Sequence, residues 1–227
     1  MIFTEADLVA LALTLKLAAI STAILILIAT PLAWWLARTQ WRFKYLVEAL
    51  VALPLVLPPT VLGFYLLIAF SPDSWFGGLL ESINGTPLAF TFTGLVIGSV
   101  VYSLPFVVQP LQNAFLAVSV RSMEVAATLG AASVDRFWNV AIPLAKPGFI
   151  SAAVLGFAHT IGEFGVVLMI GGNIPAETKV ASIAIYEHVE SLQYASAHSL
   201  AGILLVLSFV LLVIVYASNS RARVMRL

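Results

Sequence analysis

The sequence predicts an all-α integral membrane protein, a bundle of five transmembrane helices with six as the alternative count, carrying one long cytoplasmic loop. Three observations carry this expectation. Of 227 residues, 61% are hydrophobic and 10% charged, against roughly half and a quarter in soluble domains. Mean hydropathy is +1.05, so lipid must serve as the solvent for most of the surface. Basic residues, finally, gather in alternate connections between the apolar stretches.

A spanning helix takes about 20 mostly apolar residues. The first candidate covers residues 8–37, interrupted only by Lys16, and is long enough to tilt or to project from the membrane. The others cover residues 46–70, 93–118, 147–170 and 200–217. Residues 181–186 are apolar but too short to span, and read as a surface or re-entrant segment. The start lacks a basic n-region and a clear cleavage site, so the first span is expected to be a retained anchor. The connections are short, and the chain reads as one domain over residues 1–227.

The charges set an orientation. Arg38, Arg42 and Lys44 follow the first span; Arg121, Arg136 and Lys146 lie between the third and fourth; Arg221, Arg223 and Arg226 close the chain. Nine of the eleven basic residues thus occupy alternate connections, leaving Lys16 and Lys179. The positive-inside rule makes those connections cytoplasmic, with the N-terminus outside and the C-terminus inside. Trp34, Trp35 and Trp41 then mark the inner interface, and Lys16 snorkels to the outer one.

The loop over residues 119–146 is the most informative stretch. Ser119 or Ser122 can cap a short helix, and Gly130 can end it. Ser133 can start a second, with Asp135 near its positive dipole end. Pro143 and Pro147 are expected to break that helix and restart the chain into the fourth span. Ala126, Ala127 and Gly130 would let a partner approach closely. The alternative is an amphipathic loop lying on the membrane surface.

Several chemistries find no support. No Gly-x-x-x-x-Gly-Lys-[Ser/Thr] occurs, so an ATP site would have to come from another polypeptide. Cysteine is absent, and His159, His188 and His198 are scattered. Neither a metal nor a cofactor is expected, nor an enzyme in its own right, nor a nucleic-acid partner.

The loop resembles the EAA motif of ABC importer permeases. Glu124, Val125, Ala126 and Gly130 are followed by Val140-Ala-Ile142-Pro143 at the matching spacing, with Val125, Val140 and Ile142 departing conservatively. Two further runs narrow the likeness. Leu53-Pro-Leu-Val-Leu-Pro58-Pro59 in the second span, and Gly162-Glu163-Phe-Gly165 followed by Gly172-Asn-Ile-Pro175, are similar to molybdate-type (ModB-like) permeases, with related forms in sulfate permeases. The resemblance covers most of the chain and is thinnest in the first span.

It implies a permease domain, with residues 119–146 as a coupling loop docking on an ABC ATPase subunit through Glu124, Ala126, Ala127 and Gly130. It further implies two copies in the membrane lipid, an external substrate-binding protein, and alternating access for molybdate, with tungstate, sulfate or thiosulfate as alternatives. Pro58 and Pro59 are path or gate candidates, because proline frees carbonyls inside a span; a packing kink is the alternative.

Glu163 is a rarity, an ionisable residue within a span. His159 lies one turn earlier, where the two can hydrogen-bond at i, i+4. A carboxylate repels anionic cargo, so a structural or gate-hinge role is expected, with direct contact the alternative. An ATP-independent carrier would place ionisable groups in several spans, whereas only Glu163 and His159 lie deep in one. A non-transporting scaffold would leave the loop unexplained.

The charge pattern has a direct test. A reporter active only outside the cytoplasm should be active when fused after Ser82 and silent after Leu227; the reverse result overturns the orientation.

Overall fold

The computed structural model describes residues 4–224, with the side chains at 83, 84 and 218–224 left aside. Arg226 lies outside the described residues, as do the side chains of Arg221 and Arg223. Every regular element among the described residues is helical: α1 (Glu5–Arg38), α2 (Lys44–Val56), α3 (Pro59–Phe70), α4 (Trp75–Asn84), α5 (Phe92–Leu116), α6 (Val120–Thr128), α7 (Ser133–Arg136), α8 (Ile142–Ile161), α9 (Gly165–Gly171), α10 (Ala181–Glu190) and α11 (Tyr194–Val224). Among the described residues, four helices are long and apolar enough to cross a membrane. A bent pair, α2 and α3, makes five if it counts as one span.

Lipid offers no hydrogen bonds, so each crossing segment must satisfy its own backbone. The 34 residues of α1 give a rod of about 51 Å at about 1.5 Å per residue, well beyond the hydrocarbon layer. Thr4 and Asp7 begin it with a reciprocal capping box, 3.2 and 2.9 Å. At its other end Arg38 donates to the carbonyls of Phe115 (3.3 Å) and Val118 (2.9 Å) and lies over the Trp34 ring. A cation there complements the negative end of α5.

The centre of the molecule is α5, packed against α1 and α8. Small residues let these helices approach closely. A Cβ on Gly156 would meet Val107 Cγ2 at 2.6 Å, and one on Gly148 would meet Ala114 Cβ at 2.2 Å. Two apolar clusters result. One joins α1, α5 and α8 around Leu36, Leu111, Phe115 and Ala145, with Trp34 edge-on to Phe115 and Phe137. The other joins α3, α5 and α9 around Phe70, Leu95, Val166 and Ile170.

Four expectations need correction. The second span is not one kinked helix, for α2 and α3 meet at 111°. Pro58 and Pro59 fix extended and N1 conformations in succession, and α3 starts afresh there. Nor do Pro143 and Pro147 break the chain: α7 continues through a π turn at Phe137–Ala141 into α8, giving one helix over Ser133–Ile161. The π turn stands directly before Pro143, where the wider turn accommodates a ring that lacks a donor. The fourth span, finally, ends at Ile161 rather than at residue 170.

The short apolar segment at residues 181–186 is also not a surface feature. It opens α10, whose Ala181, Ile183 and Ala184 are buried against neighbouring helices. The Ala181 N–H donates to Thr14 Oγ1 of α1 at 2.8 Å.

Close packing at Gly148 yields a stability prediction. Gly148→Val should lower the unfolding midpoint in detergent, by about 1–3 kcal/mol of overpacking. Gly202→Val should not, since nothing lies within 4 Å of its added Cβ.

Candidate functional site: a cavity between two helix breaks

Two interruptions of the helical backbone face one another. The first is the α2–α3 bend. The second is the turn Gly162-Glu163-Phe164 between α8 and α9. They touch closely enough that a Cβ on Gly165 would meet Pro59 Cβ at 2.7 Å, and one on Gly63 would meet Met169 Cβ at 2.8 Å. Between them opens a cavity of about 490 Å³, lined by Pro59, Thr60, Tyr102, His159, Glu163 and Phe164 among others.

The second break has its own supports. Gly162 N–H reaches the carbonyls of Ala158 (3.3 Å) and His159 (3.1 Å), and Glu163 N–H that of Thr160 (3.3 Å). The Glu163 carbonyl, freed by the break, accepts from Ser182 Oγ of α10 at 2.6 Å. Beyond α9, Thr178 Oγ1 donates to the Gly171 carbonyl (2.6 Å) and accepts from the Ile174 N–H (3.2 Å). Glu187 of α10 pairs with Lys179 and accepts from Asn173 Nδ2 at 3.0 Å. Those bonds hold its carboxyl below the usual carboxylate range. The tie is therefore complete above the unfolded carboxylate value and is lost as pH falls through the lowered folded one.

Glu163 is 3% exposed. Both carboxyl oxygens are sealed and make no geometric hydrogen bond among the described residues; the Ser99 hydroxyl faces them, also without a bond that meets hydrogen-bond geometry. The expected contact from His159 to Glu163 does not form. His159 instead joins Ser103 of α5 through Nδ1 at 2.8 Å and stacks on Phe106, ring centroids 3.8 Å apart. The break at Gly162 rotates Glu163 off the helical path, so i, i+4 spacing no longer brings the two together.

The sequence-selected residues thus divide. Pro59 and Glu163 share the cavity, and Pro58 caps α3 beside it. Glu124, Ala126, Ala127 and Gly130 lie elsewhere, on and just after α6. Met123 holds α6 to the core cluster while Val125 and Leu129 are 51% and 82% exposed. Gly130 takes φ +90, has open space where a Cβ would stand, and ends the helix as its position predicts. Sequence reasoning passed over Ser99, Tyr102 and Ser103. Their signal was a polar face at i, i+3 and i+4 on an otherwise apolar span.

The family described as binding-protein-dependent transport system inner membrane component matches residues 29–224. The chain belongs to this family. It is accordingly a multi-pass inner-membrane component, and its relatives are permease subunits. The molybdenum transport system permease protein ModB of Azotobacter vinelandii is 57% identical over 216 residues, 95% of this chain and 96% of that protein. The sulfate transport system permease protein CysT of Synechococcus elongatus is 34% identical over 186 residues, 82% of this chain and 66% of that one. A solved bacterial ABC transporter, involved in the import of the acidic polysaccharide alginate, has a TM-score of 0.74 at 18% identity. That match covers 97% of this chain and 80% of the other, a likeness of fold.

The bend has a specific test. Replacing Pro58 and Pro59 together by alanine should let α2 run on into α3 and draw position 59 away from Gly165. Transport should fall while membrane insertion is retained. Normal transport at normal protein level would reduce both prolines to packing.

Proposed function

We propose that the chain is the permease subunit of an ATP-driven molybdate importer. The 57% identity to a molybdenum permease over nearly the whole of both chains carries this reading. Two copies form the pathway in the membrane, with N-termini outside and C-termini in the cytoplasm. A binding protein delivers the oxyanion to the outer mouth, as the family description implies. ATP hydrolysis belongs to a separate subunit.

In this reading α6 is the coupling helix. Its polar and small residues, Glu124, Ala126 and Ala127, and the Gly130 turn face a groove of the ATPase. The exposed apolar side chains Val125, Leu129, Val134 and Trp138 supply burial that a cytoplasmic loop would otherwise lack. The continuous helix from Ser133 to Ile161 then links that contact to the cavity as one lever. Its far end is the Gly162-Glu163-Phe164 turn, where Glu163 acts as part of the hinge. Movement of the lever shifts the two breaks against each other and opens the path to alternate sides.

Cargo is tested by uptake of labelled molybdate into cells lacking their own molybdate permease but supplied with this complex. Tungstate should compete and sulfate should not; equal competition by sulfate favours the sulfate alternative. Uptake without the ATPase subunit would instead indicate an independent carrier. Coupling is tested by Gly130→Asp, which strains a positive-φ position and places an unpaired charge at a close contact. The variant should insert and dimerise but lose ATPase copurification and uptake, by about ten-fold or more for a loss of about 1.4 kcal/mol or more. Normal copurification with normal uptake would overturn the coupling assignment.

A further inference from the structure

The cavity between the breaks contains a hydrogen-bond chain with one consistent direction. Thr160 Oγ1 meets the Gly156 carbonyl at 3.0 Å, and a carbonyl can only accept, so the Thr160 proton is committed there. Ser103 Oγ lies 3.1 Å from Thr160 Oγ1, which is left only its lone pairs; Ser103 must therefore donate to it. His159 Nδ1 lies 2.8 Å from Ser103 Oγ, whose single proton is now also committed. Nδ1 consequently carries the hydrogen and donates. In the neutral ring the other nitrogen, Nε2, is then a bare acceptor.

Burial fixes this arrangement. Ser103 and Thr160 are 0% and 2% exposed, so water does not compete for their bonds. Phe106 stacks on one side of the imidazole and Tyr102 leans on it with a centroid distance of 4.7 Å. The ring plane is held, and His159 itself lines the cavity. Nε2 has no hydrogen-bond partner among the described residues and is not sealed from solvent. The remaining titratable groups around the cavity are Tyr102 from α5 and Glu163 from the α8–α9 turn. α3 contributes Pro59 and Thr60, and no described charged side chain of α1 or α11 lines it.

We propose that His159 is a proton-dependent specificity contact of the path, closed to an oxyanion when neutral and open to it when protonated. This rests on the oxyanion-importer reading above. With Nδ1–H tied to Ser103, the neutral ring turns a lone pair toward the cavity and repels an anion. A proton from the aqueous phase bonds to Nε2, giving an imidazolium that offers an N–H and a positive charge at the same point. It returns to water when the anion leaves, so the proton acts as a key and no net chemistry occurs. Ser103 and Thr160 are positioning residues, because they choose which nitrogen faces the cargo.

Two measurements decide it. Nitrogen NMR of histidine-labelled protein in micelles, with His159→Gln to assign the signal, reads the tautomer without any oxyanion. The Nδ1–H form is expected in the wild type, and Ser103→Ala should release the Nε2–H form. A dominant Nε2–H form in the wild type overturns the relay. In proteoliposomes carrying the whole complex, wild-type uptake should rise on mild acidification. The rise approaches about ten-fold per pH unit while the ring is mostly neutral. His159→Gln, which keeps an amide donor at every pH, should flatten that slope; an unchanged slope overturns the proposal. Failure of the wild type to take up molybdate at any pH overturns the molybdate reading instead, and the slope comparison is then made with sulfate, where the same two results decide.

Discussion

Everything in this molecule follows from a solvent that neither donates nor accepts hydrogen bonds. Helices satisfy their own backbones, so α1, α5 and the long α7–α8 rod cross as uninterrupted cylinders. A break in such a place is expensive unless another element repairs it. Here the two breaks are placed against each other, and their loose ends are tied by Ser182 to the Glu163 carbonyl and by close contact of Gly165 with Pro59. The result is irregular backbone that faces a cavity. Broken helices in transporters obey the same rule.

Much of this was legible in the sequence, for reasons that can be named. Span positions follow from burial in lipid, which acts on every residue and leaves a long apolar record. The glycine end of α6 was readable because positive φ nearly demands that residue at Gly130. Elsewhere a local rule met a non-local answer. Pro143 should end a helix by its own chemistry, but the π turn absorbs it, and no residue pattern announces a π turn. His159 and Glu163 have ideal helical spacing, yet the helix stops between them. Residues 181–186 read as peripheral by length, whereas their burial comes from α1 and α11, whose approach no local window contains. The Ser103 contact crosses from one helix to another 56 residues away, a distance over which periodicity carries no information.

The electrostatics of the cavity are unusual for the anion path proposed for it. Lys16, which lies over the Phe92 ring, and Lys179, paired with Glu187, are the basic residues outside the three charged clusters, and neither lines it. A strong cationic cage would hold an oxyanion and slow its release. This lining holds no lysine or arginine, and the positive charge proposed for it is present only while His159 is protonated, which suits a conduit that must let go. Affinity then has to be supplied upstream, by whatever presents the ion at the outer mouth.

The π turn at Phe137–Ala141 has a consequence for how this chain can change over evolutionary time. It holds one residue more than an α-helical turn, so the helix carries a small surplus of length just where the loop enters the bundle. A single deletion there would convert it to ordinary helix without turning the rest of α8 relative to α5. The Gly148 and Gly156 contacts would stay in register. A lineage can therefore lose that one residue at this junction while the membrane core keeps its alignment.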